Sequence, residues 1–385
     1  MRLRSAACAP RGSAPLVHWW FDITPGREAR RSEGASLATP GNDRRFAEVS
    51  SPRSLSLRFS GRQSWTRYLG ARWVVSGRRK RRTLRSSVFL ALFLIGSFWA
   101  DRGSSAEFER IGIVSAFNPE LEAVEQAIIP KGAVSKIREV NGTRFQLVDL
   151  YGRHLYFFLS GVSMVNAALT TQMAIDRFQL NAVIFSGIAG AVDPRLRPGD
   201  VVVPAHWIHQ MESNWLNPDL NKPGSYVFPE FYRPKYGHFD MIFPSDVEVV
   251  RKGETKSHEV HAFPADRYLL SCTQKAVSSV RLVDPEGKRC TVYIGGNAMS
   301  GPVFLDNRAF REFAFRTWRV RLHEMEGTAL AQVGYVNRVP VLIIRGISDL
   351  AGGQRGTNWE EIYTQLASRN AALVAAATLN KILRQ

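Results

Sequence analysis

Acidic residues follow two predicted strands near the C-terminal end of the chain. Glu324-Met325-Glu326 opens a predicted helix after a short strand, and Ser348-Asp349 follows the apolar run 341–344. That run is partly β-branched and lies between a proline and a glycine, which is typical of an interior strand of a parallel sheet. Ligands of such sheets bind just beyond the carboxyl ends of the strands. We therefore predict that the two groups line one small, acidic, partly desolvated pocket.

A third carboxylate stands at the start of the first predicted helix. The strand 110–115 is followed by a helix from Glu120 to about residue 128, and Pro119 suits the first helical turn. Asn118, just before the proline, is the expected N-cap. A buried carboxylic acid that stays protonated can donate its proton, and an ionised one can take a proton from water. Acid–base chemistry is therefore the chemistry that these residue types support.

The elements that must position these residues alternate between strands and helices. Asn141-Gly142 between the alternating strands 137–140 and 143–150 is a strong hairpin signal. Further strands are predicted at 154–160, 182–185, 201–209, 290–294 and 320–323, and further helices at 165–178, 267–280, 308–315, 328–336 and 359–383. Glycines in the exit loop 186–191 let the backbone approach a ligand closely. The pattern predicts an α/β domain with three α/β/α layers and a central mixed sheet.

The first 106 residues are predicted to lie outside that domain. They hold much of the formal charge of +17, because 19 of the 51 Lys and Arg residues but only five acidic residues lie within the first 100. The apolar run 88–100 follows an arginine-rich segment and is shorter than the roughly 20 residues of a membrane span, which fits a signal-peptide core. We predict that 1–77 is a disordered extension or follows a misassigned start, that 78–106 is a signal peptide cleaved after Ala106, and that 107–385 is an exported catalytic domain. An uncleaved membrane anchor is the alternative.

Two features of the domain bear on its partners. Its acidic and basic residues nearly balance and no basic stripe is interleaved with aromatic residues, so no nucleic-acid partner is predicted. The segment 210–265 is too long for a structureless loop in a compact domain. Its aromatic residues are Trp215, Phe228, Phe231, Tyr232, Tyr236, Phe239 and Phe243. Dense aromatic residues favour a contact surface, so we predict a homo-oligomer that packs through this insertion, with a substrate-covering lid as the alternative.

The cysteines and histidines suggest no catalytic or metal site. Cys272 and Cys290 are an even pair in the predicted oxidising compartment, so a disulfide is expected, with two buried free thiols as the alternative. The histidines at 206, 209 and 238 lack the spacing of metal ligands, so no metal is predicted.

Five segments, in order, resemble the signature segments of one superfamily. They are residues 111–121 (IGIVSAFNPEL), 161–169 (GVSMVNAAL), 186–203 (SGIAGAVDPRLRPGDVVV), 323–329 (HEMEGTA) and 341–351 (VLIIRGISDLA). Together they identify residues 109–385 as similar to the nucleoside phosphorylases and nucleosidases, most closely the 5'-methylthioadenosine/S-adenosylhomocysteine nucleosidases. The plant bark and vegetative storage proteins resemble the same superfamily in their fold. The resemblance implies cleavage of a nucleoside without a cofactor.

The resemblance also implies roles for single residues. Asp349 matches the general acid that protonates the leaving base, and Ser348 would orient it. Glu120 matches the general base that activates water. Glu326 would hold the ribose hydroxyls, and Met325 would pack beneath the sugar. The remaining residues expected near the substrate are Glu324, Ile188, Ala189, Gly190, Asn297 and Met299, of which the last two lie in a loop, 295–302, that covers the base in the family.

Departures from the family pattern concern the base and the water. Ile188 replaces a usual serine or threonine, Ser163-Met164 replaces a Gly-Lys pair, and Met299 replaces an aromatic residue that stacks on the base. Arg345 is interpreted either as a phosphate ligand or as a buried partner of Glu324. Because Glu120 would repel phosphate, we predict hydrolysis of purine nucleosides or their 5'-thioether derivatives. A phosphate-dependent phosphorylase and a non-catalytic binding or storage protein are the alternatives.

Overall fold

The computed structural model describes residues 108–384, and strands and helices alternate over this part of the chain. The strands are β1 Arg110–Ser115, β2 Ser135–Val140, β3 Thr143–Leu150, β4 Arg153–Leu159, β5 Ala182–Ala191, β6 Val201–Val203, β7 His206–His209, β8 Ser213–Trp215, β9 Ile242–Pro244, β10 Val247–Val249, β11 His258–Val260, β12 Ala262–Pro264, β13 Val292–Ile294, β14 Asn297–Ser300, β15 Val320–Glu324 and β16 Val341–Asp349. The helices are α1 Asn118–Ile128, α2 Met164–Phe178, α3 Arg267–Ala276, α4 Arg308–Trp318, α5 Gly327–Asn337 and α6 Glu360–Leu383, with a short 3-10 helix at Val277–Ser279. The predicted extension, signal peptide and cleavage site lie outside the described residues.

Strand β5 is the centre of a mixed, twelve-stranded sheet. The order of the sheet is β12-β7-β14-β15-β5-β1-β4-β3-β2, while β16 pairs with both β5 and β6, and β13 pairs with β6. Both β1 and β16 run parallel to β5, whereas β15 joins its last two residues in the antiparallel sense. Since β5 is longer than β1, it continues past the end of β1 and gains β15 as a new neighbour. The ends of β1, β15 and β16 are thereby gathered around one strand.

Helices cover both faces of this sheet. On one face, α2 and α5 contribute Phe178 and Leu330 to an apolar cluster that includes Phe185 of β5. On the other face, α1, α3 and α6 pack together, and Val124 of α1 and Val374 of α6 lie in a second cluster. The predicted three-layer α/β/α architecture with a central mixed sheet is confirmed. None of the helices found over residues 108–384 is long and apolar enough to cross a membrane.

The insertion 210–265 builds a small apolar core of its own. Strands β8 and β9 pair, and Phe243 packs with Leu216 and Tyr232. Phe239 connects the insertion to α4 through an edge-on contact with Phe310 at 5.1 Å between ring centroids. Several of the aromatic residues thus pack inside the protein, although Phe231 is 84% exposed. Contact with a second subunit and cover of the substrate both remain predictions.

Local predictions differ from the structure in three places. Helix α1 begins at Asn118, so Phe117 rather than Asn118 takes the N-cap position and no side chain caps the helix. Residues 186–191 extend β5 instead of forming an exit loop, because β16 and β15 continue to pair with them. Residues 297–300, predicted to be a loop, form β14, which pairs with β7 and β15.

The predicted disulfide between Cys272 and Cys290 is wrong. Both cysteines are buried free thiols. Burial raises the pKa of the Cys272 thiol, which interacts with Tyr268 on its own helix. The sulfur of Cys290 lies against Gly199, where a Cβ would come within 2.8 Å of it. Each thiol therefore fills space in the apolar core, which is the alternative that the sequence left open.

The contact between β16 and α6 leads to a stability prediction. A Cβ added at Gly346 would lie 2.1 Å from the carbonyl oxygen of Ala367, and a backbone atom cannot rotate away. We expect Gly346→Ala to lower the free energy of unfolding by about 2–4 kcal/mol, in the upper range of overpacking effects, as measured by urea denaturation. Ser135→Ala on the exposed strand β2 is the control and should change it by less than about 0.5 kcal/mol. An equal effect of the two substitutions would contradict this packing.

Candidate active site

Glu120 is held in place by the backbone at the end of β1. Its carboxylate is buried, and its two oxygens accept the N–H groups of Ala116 and Ile188, each at 2.7 Å. Room for it exists because residue 187 is glycine. A Cβ there would lie 2.6 Å from Glu120 Oε1 and 2.0 Å from Arg345 Nη1. The glycine predicted to allow close approach of a ligand therefore first allows close approach of these two side chains.

Arg345 in β16 is the cation around which three carboxylates gather. Its side chain is 0% exposed and stacks on the ring of Phe185, 4.0 Å from the centroid. Nη2 donates to Glu324 and lies 3.4 Å from Glu326 Oε2, while Nη1 lies 3.7 Å from Glu120 Oε1. Of the two interpretations of Arg345, the structure agrees with the one in which it is a buried partner of Glu324. Its charge is shared among all three acids.

Glu324 is saturated by donors of the protein itself. Its oxygens accept the hydroxyl of Ser300 and the N–H groups of Glu326 and Gly327, in addition to Arg345. A carboxylate has about four lone-pair positions, and these donors fill them. Glu324, which was predicted to contact the substrate, therefore supports the start of α5 and the guanidinium of Arg345.

Glu326 connects the start of α5 to the start of α2. Its Oε1 accepts the N–H of Ser163 at 2.8 Å. Ser163 has φ 80°, a backbone conformation that favours glycine, and it stands where the resembling family has glycine. Within residues 108–384, Glu326 Oε2 has only the long contact with Arg345, so it retains capacity to accept hydrogen bonds. Met325, between the two glutamates, is half-buried.

Burial governs the protonation of these acids. Desolvation raises the pKa of Glu120 to about 7, although Arg345 and two backbone N–H groups lower it. Desolvation, followed by the charge of Glu324, raises the pKa of Glu326 to about 8. Three carboxylates share one guanidinium, and an unpaired buried charge is costly. The cluster therefore holds at least one proton near neutral pH.

Asp349 ends β16 in a second buried position. Its Oδ2 accepts the hydroxyl of Ser348 at 2.9 Å, and its Oδ1 accepts the N–H of Ala351 at 2.8 Å. The amide of Asn358 lies 3.5 Å from Oδ1. Desolvation raises the pKa of Asp349, which favours the protonated form. Asn358 was not predicted, because only the turn after β16 brings it back to the strand.

The register of β5 relates the two acidic positions. Glu120 accepts a hydrogen bond from the N–H of Ile188, and Asp349 is the strand partner of Gly190. A Cβ added at Gly190 would lie 2.8 Å from Oδ1 of Asp349. Two residues of strand span roughly 7 Å. Residues 188–190 therefore run between the carboxylate cluster and Asp349. The length of strand between the two is comparable to the size of one small molecule. The structure brings Glu120, Glu326 and Asp349 to the same end of the sheet.

Two predicted contacts lie elsewhere. Asn297 is at the opposite end of β14 from Ser300, and its amide donates to the carbonyl of Trp318 at 3.2 Å. Met299 is fully buried in an apolar cluster with Val192, Ala351 and Phe310. The structure thus does not bring Asn297 to the acidic residues, and it places Met299 in the core beside the turn that follows Asp349. No group of His, Cys, Asp and Glu side chains over residues 108–384 is arranged to hold a metal ion.

Comparison with known proteins gives one family. The sequence profile of the phosphorylase superfamily matches residues 110–384. The chain is 27% identical over 277 residues to a 5'-methylthioadenosine/S-adenosylhomocysteine nucleosidase of Psychromonas ingrahamii, covering 71% of this chain and 99% of that protein. It is 24% identical over 282 residues to bark storage protein B of Populus deltoides, covering 71% and 89%. The structure of futalosine hydrolase from Helicobacter pylori matches with a TM-score of 0.53 and 19% identity, covering 71% of this chain and 98% of that one.

The raised pKa values predict how stability depends on pH. Because the folded-state values of about 7 and about 8 exceed the ordinary 4.5, the folded chain binds more protons than the unfolded chain from about pH 4.5 to pH 8. The free energy of unfolding should therefore fall as pH rises through this window, by at most about 1.4 kcal/mol per pH unit for each group. Urea denaturation at pH 5, 6, 7 and 8 measures the slope.

A neutral isostere isolates the contribution of Glu120. Glu120→Gln cannot ionise, so its slope of stability against pH should be shallower than that of the wild type. Glu139→Gln, on the exposed strand β2, should keep the wild-type slope. Parallel curves for wild type and Glu120→Gln would show that Glu120 is already ionised throughout this range.

Proposed function

The chain belongs to the phosphorylase superfamily, and on that premise we propose that it is a nucleosidase, which hydrolyses the N-glycosidic bond of purine nucleosides or their 5'-thioether derivatives to free base and sugar. The single observation that carries this proposal is the buried cluster in which Arg345 is neutralised by Glu120, Glu324 and Glu326. The nucleosidases among the relatives of the chain support the same reaction class.

The charge of the cluster favours water over phosphate as the nucleophile. A phosphorylase must hold a dianion, for which arginine and lysine donors are needed. Here the guanidinium of Arg345 is already contacted by three carboxylates, and the adjoining acids would repel phosphate. Glu120, with a pKa raised to about 7, is poised to take a proton from water at neutral pH.

Asp349 supplies the acid on the opposite side of the scissile bond. Cleavage requires the base to leave with a proton while positive charge develops on the sugar. The raised pKa of Asp349 favours the protonated carboxyl that this donation needs, and contacts with Ser348 and Asn358 fix its orientation. Glu326 Oε2 accepts from the ribose hydroxyls, and once this group ionises, with its pKa raised to about 8, its negative charge stabilises the developing cation.

Removal of either acid–base group should slow base release. We expect Asp349→Asn and Glu120→Gln each to lower kcat by roughly 10²–10⁴-fold, because each removes one proton transfer. kcat/KM of the wild type should rise with pH through about 7, as Glu120 loses its proton. The measurement is release of free base from a panel of purine nucleosides. Glu139→Gln is the matched control, and a wild-type rate in the Asp349→Asn variant would exclude the role of Asp349.

Added phosphate separates this proposal from its alternatives. Hydrolysis proceeds at the same rate with and without phosphate and yields free sugar. Base release that requires phosphate, with a sugar phosphate as product, would make the protein a phosphorylase. Binding of nucleosides without base release would favour the storage or binding function that the bark storage relative suggests.

We also propose that the domain is exported and assembles as a homo-oligomer. The arginine-rich segment and apolar run of residues 78–100 support export, with cleavage after Ala106. Exposed aromatic residues of the insertion, such as Phe231, support assembly. The intact mass of the protein recovered outside the cytoplasm should correspond to a chain that begins at Glu107. A mass that includes residues upstream of 78 would overturn the predicted boundary.

A further inference from the structure

Arg311 is a buried cation outside the carboxylate cluster. It lies on the inward face of α4, and only 8% of its surface is exposed. The neighbouring apolar cluster contains Phe310, Ala314 and Met299. Burial lowers the pKa of the Arg311 guanidinium, and the charge of Arg308 lowers it further. Burying a guanidinium in such surroundings is costly unless its donors are satisfied.

The guanidinium contacts two segments that flank the acidic residue Asp349. Its Nε donates to the carbonyl of Ala191 at 2.9 Å, and Ala191 directly follows Gly190, against which Asp349 lies. The other segment is the turn after Asp349. A Cβ at Gly353 would lie 2.7 Å from Arg311 Cζ and 2.8 Å from Nη1, so the plane of the guanidinium rests on the backbone of that glycine.

The terminal nitrogens of Arg311 lack an acceptor within residues 108–384. The hydrogen bond from Nε to Ala191 is the side-chain bond that the structure shows for this residue. The acids that act on its charge do so from a distance: Glu312 is its neighbour on α4, and Asp193 is already bonded to Arg195 and Arg321. Within the described residues, Arg311 therefore presents charged donors without a carboxylate partner, at the two segments that flank the residue proposed to protonate the leaving base.

We propose that Arg311 determines base specificity by donating to a carbonyl oxygen on the leaving base, so that the preferred substrates are nucleosides of 6-oxopurines. This inference rests on the proposed nucleosidase function. In a purine, the exocyclic group at position 6 adjoins N7, the ring nitrogen that an acid at Asp349 would protonate. A 6-oxo group accepts hydrogen bonds from a guanidinium, whereas a 6-amino group offers another donor and leaves the buried guanidinium unpaired.

Inosine and adenosine form a matched pair of substrates, since they differ mainly at position 6. We expect the wild type to have the higher kcat/KM for inosine. Arg311→Met keeps the length and apolar stem of the side chain but removes the donors. It should lower kcat/KM for inosine by roughly 10- to 100-fold and that for adenosine by less than about threefold. Arg311→Lys, which keeps a charge but loses the planar fork, should recover part of the loss.

Arg316→Met is the control on the same helix, because Arg316 is exposed. It should leave both nucleosides unaffected. Equal losses for inosine and adenosine in Arg311→Met would assign Arg311 a structural role only, as a clamp on Ala191 and Gly353. A wild type that prefers adenosine would also overturn the inference.

Binding of the free bases tests Arg311 independently of catalysis. By calorimetry, hypoxanthine should bind the wild type more tightly than adenine does, and Arg311→Met should abolish the difference. If no nucleoside is cleaved but this preference is found, the nucleosidase proposal fails and the role of Arg311 stands. If nucleosides are cleaved and the bases bind equally, the role of Arg311 fails while the proposed function stands.

Discussion

The site depends on one buried guanidinium that must serve three carboxylates. Arg345 has no solvent contact, and in the part of the chain that the structure describes its charge is stabilised by Glu120, Glu324 and Glu326 and by the ring of Phe185. The three acids are paired unevenly, because Glu324 makes the shortest contact with Arg345 and also accepts backbone N–H groups. Glu120 and Glu326, with pKa values raised to about 7 and about 8, are therefore the two acids that can exchange protons near neutral pH. Removal of water from the cluster is what makes its chemistry possible.

Strand β5 brings Arg345 and its carboxylate partners together, because the strands that lead to them all pair with it. Parallel pairing with β1 and β16 carries Glu120 and Arg345 to one level of the strand, and antiparallel pairing with β15 brings in the segment that ends at Glu324. Glycine at position 187 is necessary at this level, since any Cβ would occupy the space of Arg345 and Glu120. Ser163 and Glu326 occupy the N-cap positions of helices α2 and α5, and the hydrogen bond between them ties the starts of the two helices together.

The sequence predicted the site residues that are marked by local signals and missed those whose contacts join segments far apart in the chain. The residues Glu120, Glu326 and Asp349 could be identified because each follows a strand or starts a helix, which are local signals, and because the motifs around them are ordered. Asn358 and Ser300 could not be identified, because their contacts arise from a turn and from strand pairing between distant segments. The predicted disulfide was wrong, and Asn297 lies at the opposite end of β14 from Ser300, since sequence separation does not determine where a side chain points. Arg311 gave no signal at all, because an arginine on a helix is usually exposed.

The separate apolar core of the insertion has a consequence for the energetics of the whole domain. Phe243 packs with Leu216 and Tyr232, and these residues belong to a cluster distinct from the two that flank β5. A cluster this small contributes little cooperativity with the main sheet, so the part of the segment that precedes the contact of Phe239 with α4 can open while the sheet stays folded. Amide hydrogen exchange would then proceed in two regimes, fast in the insertion and slow in β5. Such a segment can acquire substitutions, or be lengthened and shortened in evolution, without disturbing the acidic residues that the central strand holds together.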